Sequence, residues 1–179
     1  ADAKQTPYIV FEYVEGLDVS DLIDAEALSL EDSMRILRES AEGLVHLHKH
    51  GVYHQDVKPS NLLWTDMGVR IIDFNVAVTE SDEVQGVGGT KRYLPPDYDY
   101  SSEPGASDRI DRDIYALGIS FYECLTGKYP FDEPTPPIKG QPKDPKQFKG
   151  CADLSTSLIN VLTKMVAPER KDRFATAEE

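Results

Sequence analysis

One apolar stretch constrains the fold more than any other feature of the sequence. Residues Asp111–Thr126 are mostly apolar, and between Ile114 and Leu125 apolar side chains occur on every side of a helix. A helix that is apolar all round is buried, so this stretch predicts a central helix that the remaining chain surrounds. Gly127 follows directly, and glycine is common just past a helix end. The 179 residues are about the length of one domain.

Three further segments have the pattern of helices. Ser29 is typical of a helix cap, with the acid Asp32 three residues later, and a helical period of apolar residues runs from there to about His50. A short helix is expected over Val19–Ile23. Asp153–Val166 has apolar residues along one side and predicts a last amphipathic helix.

Strand signals are short and few. The apolar runs Asn61–Trp64 and Val69–Ile72 are separated by turn residues and predict a β-hairpin. Tyr8–Val14 is rich in β-branched and aromatic residues and predicts a strand. Thr79–Gly89 is polar, acidic and ends in glycines, which indicates a loop. Tyr129–Pro145 carries six prolines, so we expect an irregular surface insertion.

The charge balance and the two cysteines exclude several classes of protein. Lys and Arg total 19 against 32 Asp and Glu, which gives a net charge of −13, whereas general nucleic-acid binding requires a basic surface. The chain has only two cysteines, which excludes a disulfide scaffold. Cys124 is expected in the core and Cys151 as a free surface thiol. No apolar run reaches the ~18 residues of a membrane span, and residues 1–7 lack an apolar signal core. We therefore expect a soluble, cytoplasmic protein that binds neither nucleic acid nor membranes.

Acidic, basic and amide side chains cluster in two neighbouring loops. The segment His54–Asn61 places Asp56, Lys58 and Asn61 between a helix and the hairpin, and Asp73 follows the hairpin. Carboxylate and amide oxygens suit Mg²⁺. A further carboxylate can accept a hydroxyl proton, and a lysine can neutralise a migrating phosphoryl group. The two loops therefore predict a site for phosphoryl transfer.

Five motifs follow one another along the chain. They are HQDVKPSN at His54–Asn61, DFN at Asp73–Asn75, GTKRYLPPD at Gly89–Asp97, DIYALG at Asp113–Gly118 and the late arginine Arg173. In this order they resemble the C-terminal lobe of the eukaryotic-type serine/threonine protein kinases, whose catalytic loop is H-R-D-x-K-P-x-N. The resemblance implies a protein-kinase-like C-lobe, mainly α with a short β-hairpin at the catalytic loop. It implies one partial domain, with a hinge strand and linker at 1–16, a helical lobe at 17–179 and a proline-rich insertion at 130–150.

The resemblance also implies roles for the residues of the two loops. Asp56 resembles the catalytic base that orients the substrate hydroxyl, and Lys58 resembles the residue that contacts the transferred phosphate. Asn61 and Asp73 resemble the two ligands of Mg²⁺. Thr90 is expected beside Asp56 and Lys58, where it would help to fix them. The implied acceptors are Ser or Thr hydroxyls of protein substrates.

A nucleotide site is implied in the same way, with ATP as the cofactor. Phe11 would lie at the back of the adenine pocket, and Glu12 and Val14 would present backbone groups to adenine. Leu63 would form the floor of the pocket, and Asp18 would reach the ribose.

Two sequence features of the family's N-terminal lobe are absent from this chain. It contains no G-x-G-x-x-G strand pair and no V-A-I-K lysine, and Lys4 is the only lysine before residue 49. A competent kinase site needs that lysine and its glutamate partner. We therefore expect a C-lobe fragment whose N-lobe comes from the parent chain or from another chain.

Three substitutions within the motifs are further departures. Gln55 stands where the family has an arginine that receives an activation-loop phosphate, so activation by loop phosphorylation is not expected. Asn75 replaces a glycine, and asparagine tolerates positive φ. Asp97 replaces a glutamate and is expected to reach Arg173 less well.

Two other functions and several structural explanations stay open. A pseudokinase or scaffold that binds partners without catalysis is favoured by the departures above. A small-molecule phosphotransferase would share the fold and an H-x-D loop. His46, His48 and His50 suggest a metal site, but only the outer two share a helix face. His54 is expected to be a packing residue, and Asp113 to hold the catalytic-loop backbone by hydrogen bonds.

Overall fold

The longest helix, Ala106–Thr126, lies at the centre of the molecule. The structure is a computed structural model, which describes residues 10, 12–82, 88–98, 104–132 and 141–179. In that part of the chain the elements are, in order, β1 (Leu17–Asp18), α1 (Val19–Asp24), α2 (Leu30–Lys49), β2 (Val52–Tyr53), β3 (Leu62–Thr65), β4 (Gly68–Ile71), β5 (Val78–Thr79), α3 (Ala106–Thr126) and α4 (Thr156–Met165). Short 3₁₀ turns connect them at Pro59–Asn61, Lys91–Tyr93, Pro145–Gln147 and Arg170–Asp172.

Helix α3 is the buried helix that the sequence predicts, because most of its side chains are buried. It begins at Ala106 rather than at Asp111, since the Asp108 carboxylate caps the first turn by accepting the Gly105 N–H at 2.8 Å. It ends before Gly127, where φ is 65°, a left-handed conformation that glycine adopts without strain. The prediction is confirmed, with an earlier start.

Helices α2 and α4 both pack against α3. Ser29 caps α2 as predicted, in a reciprocal pair of hydrogen bonds with Asp32. Ser155 caps α4, which therefore begins later than predicted. Gly118 lets α4 approach α3, since a Cβ at this position would lie 2.7 Å from Cβ of Met165. The core between these helices includes Leu44, Val57, Tyr115, Leu117, Ile119 and Val166.

The strands of the described residues form two small antiparallel sheets. One has the order β1-β3-β4, and the other pairs β2 with β5. The predicted hairpin is confirmed as β3–β4, with Thr65 paired to Gly68 at its end. Glu39 of α2 fixes the start of β4 by accepting the Val69 N–H at 2.7 Å. The hairpin is thereby attached to the helical core.

The predicted strand at Tyr8–Val14 is wrong for the residues that can be compared. Residues 10 and 12–14 are not in a strand, and the rest of that range lies outside the described residues. A strand needs a paired neighbour, and no described strand runs beside these residues. Pairing begins only at Leu17, which lies opposite Trp64 of β3.

Both cysteines are free and buried. Cys124 lies in the core as predicted. Cys151 was expected on the surface, and this expectation is wrong, because only 2% of the residue is exposed. Its Sγ donates to the carbonyl oxygen of Leu125 at 3.1 Å, so the chain after the proline-rich segment folds back on the end of α3.

The proline-rich segment is irregular where it is described. Residues 129–132 and 141–144 have neither helix nor strand, and residues 133–140 lie outside the described residues. Among the described helices, none combines the length and the apolar character needed to cross a membrane.

Candidate active site

Asp56, Lys58 and Thr90 meet in one cluster. Lys58 Nζ donates to Asp56 Oδ2 at 2.7 Å. Thr90 joins the pair through two groups, because its N–H donates to Asp56 Oδ1 at 2.7 Å and its Oγ1 accepts from Lys58 Nζ at 3.0 Å. The structure therefore brings a carboxylate, an ammonium group and a hydroxyl together from two separate segments.

A tight 3₁₀ turn, Pro59–Asn61, carries Asn61 back to Asp56. Proline suits the first position of such a turn, because its φ is already helical and no N–H is needed there. The Asn61 N–H donates to Lys58 O at 2.9 Å, and Asn61 Nδ2 donates to Asp56 O at 2.8 Å. Since the amide nitrogen is used in this way, the amide oxygen is the atom with ligand chemistry for a metal ion.

Asp113 of α3 holds the loop that carries Asp56. Its buried carboxylate accepts the His54 N–H at 2.9 Å and the Gln55 N–H at 2.7 Å, which confirms its predicted role. His48 Nε2 lies 2.9 Å from the same carboxylate, a contact that the sequence did not suggest. His54 is fully buried, which confirms it as a packing residue. In the described part of the chain, no group of three or more His, Cys, Asp or Glu residues could hold a metal ion.

Asp73 follows β4 and is linked to Asn61 through the backbone. The N–H of Ile72 donates to Asn61 O at 2.9 Å. Asp73 is exposed and has φ of 64°, and the Asn75 N–H donates to its Oδ1 at 3.3 Å. The left-handed conformation thus occurs at Asp73 rather than at Asn75. The Asp73 carboxylate and the Asn61 amide oxygen are hard donors, so this pair fits the chemistry of Mg²⁺.

An open cleft of about 1260 Å³ lies beside β3 and β4. Residues predicted for the nucleotide and metal sites share its lining, namely Glu12, Val14, Leu63 and Asp73. Asp18 does not line this cleft. It caps α1, where its Oδ1 accepts the Ser20 N–H at 2.8 Å and the Ser20 hydroxyl at 2.7 Å. Phe11 lies outside the described residues.

Two opposing effects set the charge of Asp56. Burial raises the pKa of its carboxyl, but the hydrogen bonds from Lys58 and Thr90 together outweigh burial, and the pKa lies below its usual value. The carboxylate is therefore ionised at neutral pH. An ionised carboxylate can accept a hydrogen bond from a hydroxyl and orient it.

Comparison with known proteins identifies the family. A protein-family model described as Protein kinase domain matches residues 1–179. The chain belongs to the protein kinase family. It is 32% identical over 202 residues to the probable serine/threonine-protein kinase PknB of Bifidobacterium longum, a match that covers 99% of this chain and 27% of that protein. It is 31% identical over 182 residues to the serine/threonine-protein kinase PrkC of Bacillus subtilis, covering 96% and 28% of the two chains.

A third kinase has a similar match. The chain is 30% identical over 194 residues to the serine/threonine-protein kinase PknB of Mycobacterium tuberculosis, covering 99% of this chain and 30% of that protein. The chain thus spans less than a third of the length of these curated relatives. Family membership and the structure together confirm the predicted fold class, a mainly α kinase C-lobe with the hairpin β3–β4 beside the catalytic loop.

In this kinase chain, Arg173 ties the late 3₁₀ turn to α3. Its Nη2 donates to Asp97 Oδ1 at 2.5 Å and its Nε donates to Asp111 Oδ1 at 2.7 Å. The expected pairing with Asp97 is confirmed, and the shorter side chain reaches the arginine, contrary to expectation. The second partner, Asp111, was not predicted from the sequence.

Two arginines of α3 were also missed from the sequence. Arg109 and Arg112 are buried and contact the loops of the candidate site. A signal was present, because charged residues seldom lie inside a buried helix unless they are paired. The pattern alone could not show which loop they would contact.

Proposed function

We propose that the full-length protein transfers the γ-phosphoryl group of ATP to Ser or Thr hydroxyls of protein substrates in the cytoplasm. The observation that carries this proposal is the cluster of Asp56, Lys58 and Thr90, in which one ionised carboxylate and one ammonium group face each other. Membership of the protein kinase family supports it, as do the serine/threonine-protein kinase names of the relatives.

In the proposed reaction, the substrate hydroxyl oxygen attacks the γ-phosphorus while the bond from that phosphorus to the β–γ bridging oxygen breaks and ADP leaves. Asp56 orients the hydroxyl and accepts its proton as the new oxygen–phosphorus bond forms. Lys58 compensates charge on the transferred group. An ammonium group has three donors, and two of them bind Asp56 and Thr90, so the third remains for a phosphate oxygen.

Asn61 and Asp73 would hold Mg²⁺, which neutralises phosphate charge when it is bound. The Asn61 amide nitrogen is anchored on Asp56, so its oxygen has a fixed direction. The lysine and glycine-rich strands that cover ATP in the family would come from an N-lobe elsewhere in the parent chain or in another chain.

The cleft beside β3 and β4 is the proposed place of the nucleotide. Backbone groups of Glu12 and Val14 would bind adenine over Leu63, with Phe11 behind. Asp18 is not among the lining residues of this cleft, so it would reach the ribose only from beyond that lining, through Oδ2, since both of its hydrogen bonds to Ser20 use Oδ1.

Phosphate transfer by the purified full-length protein tests the proposal. The protein would be incubated with γ-labelled Mg·ATP and with peptides that carry Ser, Thr or Tyr. We expect label on Ser and Thr. Lys58→Met should lower kcat by about 10²-fold or more, as expected when one group that stabilises the transition state is lost. Lys49→Met is the matched control, because Lys49 is exposed and pairs with Glu178 at the surface.

A scaffold without catalysis is the second candidate. It is favoured by Gln55 and Asn75, which replace two residues of the family motifs. A wild-type protein that binds Mg·ATP but transfers no phosphate would support the scaffold and contradict the proposal. Label on Tyr alone would contradict the proposed acceptor class.

A further inference from the structure

Arg109 of α3 binds the first end of the loop that follows β5. Its Nη1 donates to Thr79 O at 2.5 Å, and its Nη2 donates to Asp82 O at 3.0 Å. We call residues 79–82, which begin with the last residue of β5, and residues 88–90 the two loop ends. Residues 83–87 between them lie outside the described residues. One guanidinium group thus holds the whole first loop end against the central helix.

Arg112, one helical turn further on, joins the second loop end to the catalytic loop. Its Nη2 donates to Gln55 O at 2.6 Å and also to Gly88 O. Gln55 directly precedes Asp56, and Gly88 lies two residues before Thr90, whose N–H binds the Asp56 carboxylate. Arg112 therefore bridges the two segments that meet at the proposed base.

Both guanidinium groups lie in the interior, because each arginine is only 4% exposed. Burying a charge is unfavourable unless hydrogen bonds compensate it, and an apolar side chain of similar size would often serve stability as well. The hydrogen bonds named here all end on backbone carbonyl oxygens of the two loop ends and of the catalytic loop. Their common effect is to fix where these loops lie.

Gln55 links the two arginines and supplies no cation of its own. Its Nε2 donates to Arg109 O at 2.9 Å, so the side chain points into the protein and only 6% of the residue is exposed. In kinases that are activated through this loop, an arginine at this position pairs with a phosphate and orders the loop. Gln55 has no charge for such a pair. The guanidinium groups of Arg109 and Arg112 already donate to backbone carbonyl groups.

We propose that Arg109 and Arg112 are positioning residues that hold the two loop ends against the catalytic loop, and that the site is thereby assembled without a phosphate on the loop. Arg109 holds the first loop end, and Arg112 sets the distance between the second loop end and Asp56. The proposal rests on the proposed kinase function, but it can be tested separately from that function.

Hydrogen exchange of the full-length protein provides the separate test, because it needs no catalysis. The reporters are the amides of Asp82 and Thr90, which donate to Thr79 O and to Asp56 Oδ1. We expect Arg109→Met to speed exchange at Asp82 about tenfold, as for one lost hydrogen bond. Arg112→Met should do the same at Thr90, while amides in α2 exchange as in the wild type.

The control Arg38→Met removes an exposed arginine of α2 and should leave both reporters unchanged. If the methionine variants do not fold, Arg109→Lys and Arg112→Lys are measured instead, because they keep the charge but lose the planar fork. Wild-type exchange at Asp82 and Thr90 in folded lysine variants would overturn the proposal. So would faster exchange throughout the chain with no excess at the loop ends.

Kinetics give a second readout that packing alone would not move. We expect the arginine variants to lower kcat about tenfold or more while KM for ATP stays near the wild-type value, because the nucleotide cleft is lined by other residues. Phosphatase treatment of the wild type should change neither kcat nor exchange at Asp82 and Thr90. A fall in kcat and faster exchange after this treatment would show that a phosphate orders the loop, which overturns the proposal. If the wild type transfers no phosphate, the proposed function fails and the exchange data alone decide this inference.

Discussion

The Thr90 N–H donates to Asp56 Oδ1 at 2.7 Å, and this contact joins two segments that lie 34 residues apart in the chain. Lys58 spans the same contact by donating to Asp56 Oδ2 and to Thr90 Oγ1. The carboxylate that we propose as the base is thus held partly by a backbone group of the neighbouring loop. A change that moves this loop should affect catalysis more than it affects stability.

Gly89 offers a sharp test of this relationship. Its φ is 85°, and a Cβ there would lie 2.5 Å from Gln55 O and 3.2 Å from Asp56 Oδ1. We expect Gly89→Ala to displace Thr90 from Asp56 and to lower kcat by about 10²-fold, the size expected for a shift of about 1 Å at a reacting group. Steady-state kinetics of the full-length protein measures this effect.

The matched control for this substitution is Gly150→Ala. Gly150 has φ of 82°, and a Cβ there would have nothing within 4 Å. The Gly150→Ala substitution therefore introduces similar backbone strain but no steric contact, and it should leave kcat unchanged. Equal kcat values for Gly89→Ala and Gly150→Ala would contradict the role given to the contact between Thr90 and Asp56.

Asp113→Asn should loosen the catalytic loop from α3. An amide has only one acceptor oxygen, so one of the N–H groups of His54 and Gln55 would face an N–H₂ group in the interior. An unsatisfied buried donor costs about 1–3 kcal/mol, and we expect the free energy of unfolding in urea to fall by that amount. Asp66→Asn, in the exposed turn of the hairpin, is the control. No difference between the two variants would argue against the support that Asp113 gives to the loop.

Substitutions of Arg173 and Arg170 compare how much a buried and an exposed ion pair contribute to the free energy of unfolding. The Arg173 side chain is fully buried, and Arg173→Met would remove the buried partner of the Asp111 carboxyl. Breaking such a pair costs about 3–5 kcal/mol. Arg170 pairs with Asp108 where the side chains are 40% and 42% exposed, so Arg170→Met should cost only about 0–1 kcal/mol. A larger loss of unfolding free energy in urea for Arg170→Met than for Arg173→Met would contradict this ranking of the two ion pairs.

Alkaline pH should destabilise the fold through Cys124. Burial raises the pKa of its thiol, so the folded state keeps this proton to a higher pH than the unfolded chain, where a thiol ionises near pH ~8.5. Above that pH only the unfolded state gains free energy by ionising. The free energy of unfolding therefore falls as pH rises, by up to about 1.4 kcal/mol per pH unit for this group.

The comparison of wild type with Cys124→Ala isolates this contribution. Urea unfolding between pH 8 and pH 10 should show a shallower decline for the variant, because it lacks the group that ionises only after unfolding. Identical slopes for the two proteins would show that the thiol is not protected by burial.

Elements with strong local signals could be predicted from the sequence. Ser29 and Asp32 cap α2 because their spacing satisfies two N–H groups at the start of the helix. Helix α3 is buried because its own apolar side chains occur on every side of it. The hairpin also follows from turn residues between two apolar runs. For the site, the resemblance to the protein kinase family, and not a local rule, placed Thr90 beside Asp56 and Lys58, and the structure brings these residues together.

Contacts between distant segments could not be predicted in the same way. A buried helix with charges predicts that these charges are paired, but it does not say that Arg112 bridges Gln55 and Gly88. The burial of Cys151 depends on how the chain returns to α3 after the proline-rich segment. Strand β1 has only two residues, which is too short to leave a pattern in the sequence, so the pairing of Leu17 with Trp64 could not be predicted.

The most direct test of the proposed role of Asp56 is the kcat of Asp56→Asn in the full-length protein, measured together with its affinity for Mg·ATP. We predict a fall in kcat of about 10²–10⁴-fold, the usual contribution of a positioned acid or base, with affinity for Mg·ATP close to that of the wild type. Phosphate transfer by Asp56→Asn at the wild-type rate would contradict this role, because the reaction would then not depend on the carboxylate around which the site is built.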